Sequence, residues 1–356
     1  MSDLFSPLKI REVELKNRIA ISPMCQYSSR DGFANEWHLV HLGSRAVGGF
    51  SLVMTEATSV SPEGRISIDD LGIWKDEHID YLKKITGFIL QQNSIPGIQL
   101  AHAGRKSNHS SPWNGNRLLS ISEGGWETVA PSPIPFSGDA ALPVELTVEG
   151  IGKVVNDFKA AAIRALTAGF KVIEIHAAHG YLIHEFLSPL TNKRHDAYGG
   201  SFENRIRLLL EIVRAIRSVW PEGYPLFTRI SSVDWRDDGW SLEDSIKLAA
   251  LLKNNGVDLV DCSTAGAVPG LNIPVAPGYQ VPFAEQVKKQ TGILTGAVGI
   301  ITDSFQANEI ISKDKADIVL LARESLRDPY FPLRAAWELK VDIPWPVQYE
   351  RAKRKK

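Results

Sequence analysis

Short apolar runs rich in Val, Ile and Leu recur along the whole chain, and each is followed by a longer stretch whose apolar positions return at helical spacing. That alternation predicts repeated βα units around a parallel sheet. Eight runs qualify as strands, at 19–24, 50–57, 97–101, 171–176, 225–231, 259–263, 293–297 and 318–322. Helical patterns cover 39–47, 201–220, 242–254 and 304–311 among others. Eight units with no long linker between them predict an α/β fold, a closed (β/α)8 barrel, as a single domain over 1–356. In such a barrel the chemistry sits on the loops that leave the C-terminal ends of the strands.

One stretch breaks the rhythm. Residues 105–147 replace a short third loop with "SPWNGN", "GGW" and "APSPIPFSGDAALP", and a loop this long is uncommon unless it serves a function. It carries Trp113, Trp126 and Phe136, which disordered insertions generally lack. The expectation is an excursion that caps the barrel mouth.

Composition narrows the function classes. Apolar residues make up 44 % and charged residues 23 % of 356 positions, with a formal net charge of -1, so an electrostatic grip on nucleic acid is not expected. The only basic block is the end, Arg351 to Lys356, a weak signal by itself. Cys25 and Cys262 supply neither a disulfide framework nor the four-cysteine spacing of a metal cluster. The start "MSDLF" has no basic, apolar leader, and no run approaches 18 apolar residues. A cytoplasmic protein that meets no membrane is expected.

The polar residues at the predicted strand ends are Pro23-Met24-Cys25-Gln26-Tyr27, Glu56-Ala57, Gln99, His102 to Lys106, His176 to Tyr181, Arg229, Ser263, Gly296 to Gly299 and Ala322-Arg323. Gly296 and Gly299 on strand seven, with Arg323 on strand eight, fall where barrels bind phosphate. His176 and His179 could suggest a metal, but catalytic zinc needs three protein ligands. The other strand ends offer Met-Cys and two arginines instead, so no metal is expected. FMN suits the inventory better, because it brings a phosphate, a polar ring edge and a surface that becomes negative on reduction. Gln99 can both donate to and accept from that edge, Arg229 can hold the charge, and Cys25 can lie against the ring and tune its potential.

At this point "PLKIREVELKNRIAISPMCQYS", "PGIQLAHAGRK", "HAAHGYLIHEFLSPLTNKRHDAYGGSFENR", "TGAVG", "LLARESLRDP" and "PVQYER" resemble the old yellow enzymes, in particular their bacterial NADPH-dependent ene-reductases. The likeness runs in order along nearly the whole chain. It implies an FMN barrel reduced by NADPH that reduces the C=C bond of α,β-unsaturated carbonyl and nitro compounds. It further implies that Pro23, Met24, Cys25, Ala57, Gln99, Arg229, Ala322 and Arg323 contact FMN. Tyr27, His176 and His179 would face the substrate, and Tyr181 would donate the proton. The matching tail arginine, Arg351, would enter a neighbouring subunit's site, so a homodimer or homotetramer is expected, with 344–356 at the interface. Segment 105–147 is longer than in the shortest members of that subclass, which leaves its capping contacts open. Rival readings are another FMN barrel reductase, a metal-dependent barrel hydrolase and a flavin-binding protein without turnover.

Overall fold

A computed structural model describes residues 3–138 and 140–354; Met1, Ser2, Asp139, Lys355 and Lys356, which include one position of the 105–147 excursion and the end of the basic tail, lie outside the described residues. Eight parallel strands close into a barrel: β1 (Ile19–Ile21), β2 (Leu52–Ser59), β3 (Ile95–Ala101), β4 (Val172–Ala177), β5 (Leu226–Ser231), β6 (Leu259–Ser263), β7 (Leu294–Ala297) and β8 (Ile318–Leu321). Between and after them run α1 (Glu36–Val47), α2 (Ile79–Gln91), α3 (Val148–Thr167), α4 (Arg207–Arg217), α5 (Leu242–Asn254), α6 (Val281–Thr291), α7 (Ser304–Ser312) and α8 (Phe331–Glu338).

All eight expected strands are present, with three informative shifts. β1 stops at Ile21 rather than residue 24, because after Ser22 donates to the Leu321 carbonyl at 3.0 Å the next residue is Pro23, which has no N–H to give. β2 runs on to Ser59 through an irregularity between Met54 and Ala57. β8 stops at Leu321, where Ala322 leaves the extended region (φ -93, ψ -104) and a short helix, Arg323–Arg327, begins. The helix expected over 201–220 is divided at Ile206 (φ -82, ψ -10) into Phe202–Arg205 and α4, and it ends at Arg217. Arg205 is turned aside there, donating to the carbonyls of Leu187 at 2.8 Å and Gly200 at 2.7 Å.

The barrel interior is layered, because every second residue of a strand points inward. At the N-terminal end Leu52, Val172, Phe227, Leu259 and Leu320 pack with Ile10, Val13 and Leu15 of an N-terminal hairpin that plugs the barrel. Two residues further along the same faces the side chains become Glu174, Arg229 and Asp261, and two further His176, Ser231 and Ser263. Strand register sets their neighbours: Gln99 lies beside Glu174, His176 beside Arg229, and Arg229 beside Asp261. The apolar floor thus carries a polar, buried ceiling at the C-terminal end. The larger core lies outside the barrel, between strands and helices. Among the described residues no helix is long and apolar enough to cross a membrane.

Candidate active site

The turn after β4 carries His176, His179 and Tyr181. Their rings pack edge to face, His176 at 5.2 Å from His179 and 5.0 Å from Tyr181. The turn is held by its backbone. His179 adopts a left-handed conformation (φ 61), its N–H donates to Ser231 Oγ at 2.9 Å, and that hydroxyl donates on to the Ala265 carbonyl at 2.7 Å. Gly180 (φ 72) follows, where a Cβ would stand 1.9 Å from the Gly266 carbonyl oxygen. Only glycine lets the loop after β6 press on the histidine turn this closely.

Electrostatics fixes the protonation states. Burial, then the positive charge of Arg229, holds both imidazoles well below their ordinary range, so both are neutral and each carries one N–H. His176 Nδ1 accepts from the Ala178 N–H at 3.3 Å, which puts the proton of His176 on Nε2. His179 Nε2 stands 2.7 Å from Ser263 Oγ. The Ser263 hydroxyl also lies 3.3 Å from Gln280 Oε1, to which it can donate, so His179 offers an N–H to another molecule through Nδ1 only when Ser263 turns its hydrogen from Gln280 to Nε2. Burial, and behind it the acidic groups of Cys25, Tyr27 and Asp70, pushes the Tyr181 phenol well above its ordinary value. His184, which follows on the next short helix, is structural: its Nδ1 accepts from the Gly180 N–H at 2.8 Å and its Nε2 lies 3.1 Å from Asp234 Oδ1.

Below the turn, Gln99 Nε2 donates to Glu174 Oε1 at 2.7 Å, and Arg229 Nε lies 3.1 Å from Asp261 Oδ2. Two buried acids thus face one guanidinium. Burial, and then the neighbouring Asp261, pushes Glu174 up to about 8. Burial raises Asp261 as well. Glu174 and Asp261 escaped the sequence reading. The signal was an acid in the middle of an otherwise apolar run, "VIEIHA" and "LVDCS".

Cys25 and Tyr27 stand on the loop after β1. Burial, then Asp70 and Glu56, drives the Cys25 thiol well above its ordinary value, against smaller opposing hydrogen bonds from Tyr27 and the Ala57 backbone. It is a thiol, not a thiolate. Asp70 is itself raised to about 7 by burial. At the ends of β7 and β8 a cavity is lined by Gln280, Val298, Gly299, Ala322, Arg323 and Arg327. Gly299 has φ 118, a conformation closed to other residues. Gly296 does not reach this cavity; it lies inside β7, where a Cβ would stand 2.5 Å from Leu320 Cδ1.

The residues present fit FMN. Arg229 Nε lies buried against Asp261 at 3.1 Å without a well-aligned hydrogen bond, and the guanidinium keeps positive charge to set against a negative ring edge. Gln99, already held by Glu174, retains its carbonyl oxygen and second N–H. The Gly299–Arg323 cavity offers backbone and guanidinium to a phosphate. Among the described residues no group of three His, Cys, Asp or Glu could hold a metal ion.

The 105–147 segment is built from three short turns, Gly104–Lys106, Pro112–Asn114 and Ile121–Glu123, and a two-residue pairing of Val129–Ala130 with Val144–Glu145. Trp113 meets Tyr27 edge to face at 5.8 Å. Lys106 Nζ donates to the His179 carbonyl at 2.9 Å, a contact that no local pattern predicts. Arg351 stands exposed on a single turn, Glu350–Ala352. The segment around it is docked rather than frayed. Tyr349 lies 6.0 Å from Tyr330, the Arg354 guanidinium is 4.4 Å above the Trp337 ring, and Lys353 pairs with Asp342 at 2.7 Å.

The sequence profile of the NADH:flavin oxidoreductase / NADH oxidase family matches residues 3–342. The NADPH dehydrogenase of Bacillus subtilis (strain 168) is 50 % identical over 350 residues, 98 % of each chain. Among solved structures, morphinone reductase in complex with tetrahydroNAD is similar at a TM-score of 0.80 and 26 % identity, over 98 % of this chain and 94 % of that one. A 2-naphthoyl-CoA reductase bound to 2-naphthoyl-CoA gives 0.86 at 27 % identity over 94 % of this chain, but this chain spans only 52 % of that larger one. These likenesses displace a metal-dependent hydrolase. The chain belongs to the NADH:flavin oxidoreductase / NADH oxidase family, and it is an FMN-dependent oxidoreductase on a (β/α)8 barrel.

Proposed function

We propose that the protein is a cytoplasmic NADPH-dependent ene-reductase that saturates the C=C bond of α,β-unsaturated carbonyl and nitro compounds. One observation carries this reading: two neutral imidazoles and a protonated phenol share one turn above the buried Gln99, Glu174, Arg229 and Asp261 layer. When bound, FMN supplies the hydride that reaches the β-carbon of the alkene. His176 Nε2–H and His179 Nδ1–H hold the substrate's carbonyl oxygen and stabilise the negative charge that gathers there, as an oxyanion hole does. Tyr181 holds the proton destined for the α-carbon. Pro23, Met24, Cys25, Ala57, Gln99, Arg229, Gly299, Ala322 and Arg323 contact the cofactor, and Tyr27 faces the substrate. The purified protein should be yellow, bleach anaerobically with NADPH and regain its colour with cyclohexenone. A colourless protein, or one that stays bleached, would count against this function.

Cys25 is assigned to tuning the flavin. A raised thiol is a poor nucleophile, so Cys25→Ala should keep FMN and turnover while moving the reduction potential by something on the order of 30 mV, about 1.4 kcal/mol in a two-electron couple. An unaltered potential with the alkene-reducing half-reaction abolished would make the thiol a chemical participant.

The 105–147 segment is read as a cap on the single barrel domain, and the tail as part of a homodimer or homotetramer in which Arg351 completes the partner's site. Support comes from the exposure of Arg351 on a docked segment, beside exposed Val347. Mixing an Arg351→Ala chain with a Tyr181→Phe chain should restore activity above the mean of the two, because one site in each heterodimer then carries neither defect. No gain despite subunit exchange would refute a shared arginine. Truncation after Pro346 should raise KM for enones. Lys353 and Arg354 hold the segment to Asp342 and Trp337 and should matter for its docking.

A further inference from the structure

A second cavity opens beside the histidine turn, under the 105–147 segment, and is lined by Tyr27, Lys106, His109, Arg117, Phe136 and Tyr181 among others. Its cations are not equivalent. Arg117 is paired with Glu123 at 2.6 Å. The Arg105 guanidinium is taken up by the carbonyls of Ile134 at 2.9 Å, Pro135 at 3.3 Å and Ala267 at 2.5 Å. Lys106 differs: its Nζ touches one neutral acceptor, the His179 carbonyl at 2.9 Å, and stands 5.0 Å from the Tyr181 ring and 4.6 Å from the Phe136 ring. Among the described residues no carboxylate forms an ion pair with it. Glu185 acts on it electrostatically, but its Oε1 already accepts the Arg105 N–H at 2.9 Å. Burial pushes Glu185 up to about 8 and pulls Lys106 down to about 8, so near neutral pH the acid does little to cancel the ammonium.

We propose that Lys106 makes this cavity an anion-recognising vestibule, receiving the negatively charged part of the molecule whose reacting end lies at His176, His179 and Tyr181. This rests on the reading of that turn as the reacting site. The favoured source of the anion is the phosphates of the nicotinamide dinucleotide. Its phosphates begin one sugar away from the hydride-donating ring, and the Lys106 ammonium stands beside the reacting turn, 5.0 Å from the Tyr181 ring. The other source is an acid group carried by the alkene. Either gains from an ammonium that is partly desolvated and, among the described residues, ion-paired with no carboxylate.

The test titrates the oxidised holoenzyme with unreactive ligands and follows the flavin spectrum, so that it needs no turnover. Tetrahydro-NADP is compared with neutral 1-benzyl-tetrahydronicotinamide, and a cyclohexenone carboxylate with its methyl ester. Lys106→Gln should weaken tetrahydro-NADP about tenfold more than its neutral counterpart and flatten the salt dependence of its binding, while Lys106→Arg should keep the preference. If only the carboxylate-to-ester ratio moves, the anion recognised is the substrate's. Unchanged ratios in both pairs overturn the proposal. So does equal weakening of charged and neutral ligands, which would make Lys106 a positioning residue for His179 and Tyr181. Failure of the wild type to reoxidise with cyclohexenone, despite normal binding, would defeat the ene-reductase reading alone.

Discussion

Tyr181→Phe should slow reoxidation of the reduced enzyme by cyclohexenone by roughly 10² to 10⁴, the usual worth of a positioned general acid. Reduction by NADPH needs no proton from that phenol and should change little. The edge-to-face contact with His176 survives in phenylalanine, so the change removes the hydroxyl and little else. Because burial holds the phenol well above its ordinary value, the wild-type reoxidation rate should not fall through ionisation of Tyr181 as pH rises toward 10. Stopped-flow measurement of the two half-reactions separates the steps. Equal slowing of both would mean that Tyr181 shapes the pocket and does not deliver the proton.

Replacing His176 and His179 by alanine should remove the two donors proposed to hold the substrate's oxygen. Single oxyanion donors are worth about 10² to 10³ in rate, and the loss should fall on the alkene-reducing half-reaction. A phenolate mimics the charged oxygen of the reacting substrate, so p-hydroxybenzaldehyde should give a long-wavelength charge-transfer band with the oxidised wild type and none with the double variant. Ser263 provides a finer probe. It stands 2.7 Å from His179 Nε2 and 3.3 Å from Gln280 Oε1, and Ser263→Ala should weaken the phenol if its hydroxyl turns to donate into Nε2 when the phenol binds, and leave it unchanged if it donates to Gln280 throughout. A band and affinity unchanged in the double variant would end the assignment of the histidines as donors.

Much of this site was visible at the level of residue types. The eight strands could be placed because parallel barrel strands are buried on both faces and read as short apolar runs. Their polar ends could then be collected without knowing the distances between them. The errors share a cause: backbone geometry not encoded in local pattern. Pro23 ended β1 early by withholding a donor, and the helix expected over 201–220 was divided at Ile206. Lys106 stood among the polar residues after β3, but only the folded loops put it beside Tyr181 and the His179 carbonyl.

By itself the sequence determined the fold class, the flavin chemistry and the residues of the histidine turn, because those depend on the periodicity of apolar positions and on which side chains stand at strand ends. The tertiary structure alone decided what each of those residues can do. Strand register put Glu174 beside Gln99 and Asp261 beside Arg229. The close approach of Gly180 and Gly266 fixed the turn. The Ala178 N–H set which nitrogen of His176 can donate, and Ser263, shared with Gln280, governed the choice at His179. Proton positions and charge balance follow from distances between residues far apart in the chain, and no local pattern encodes those distances.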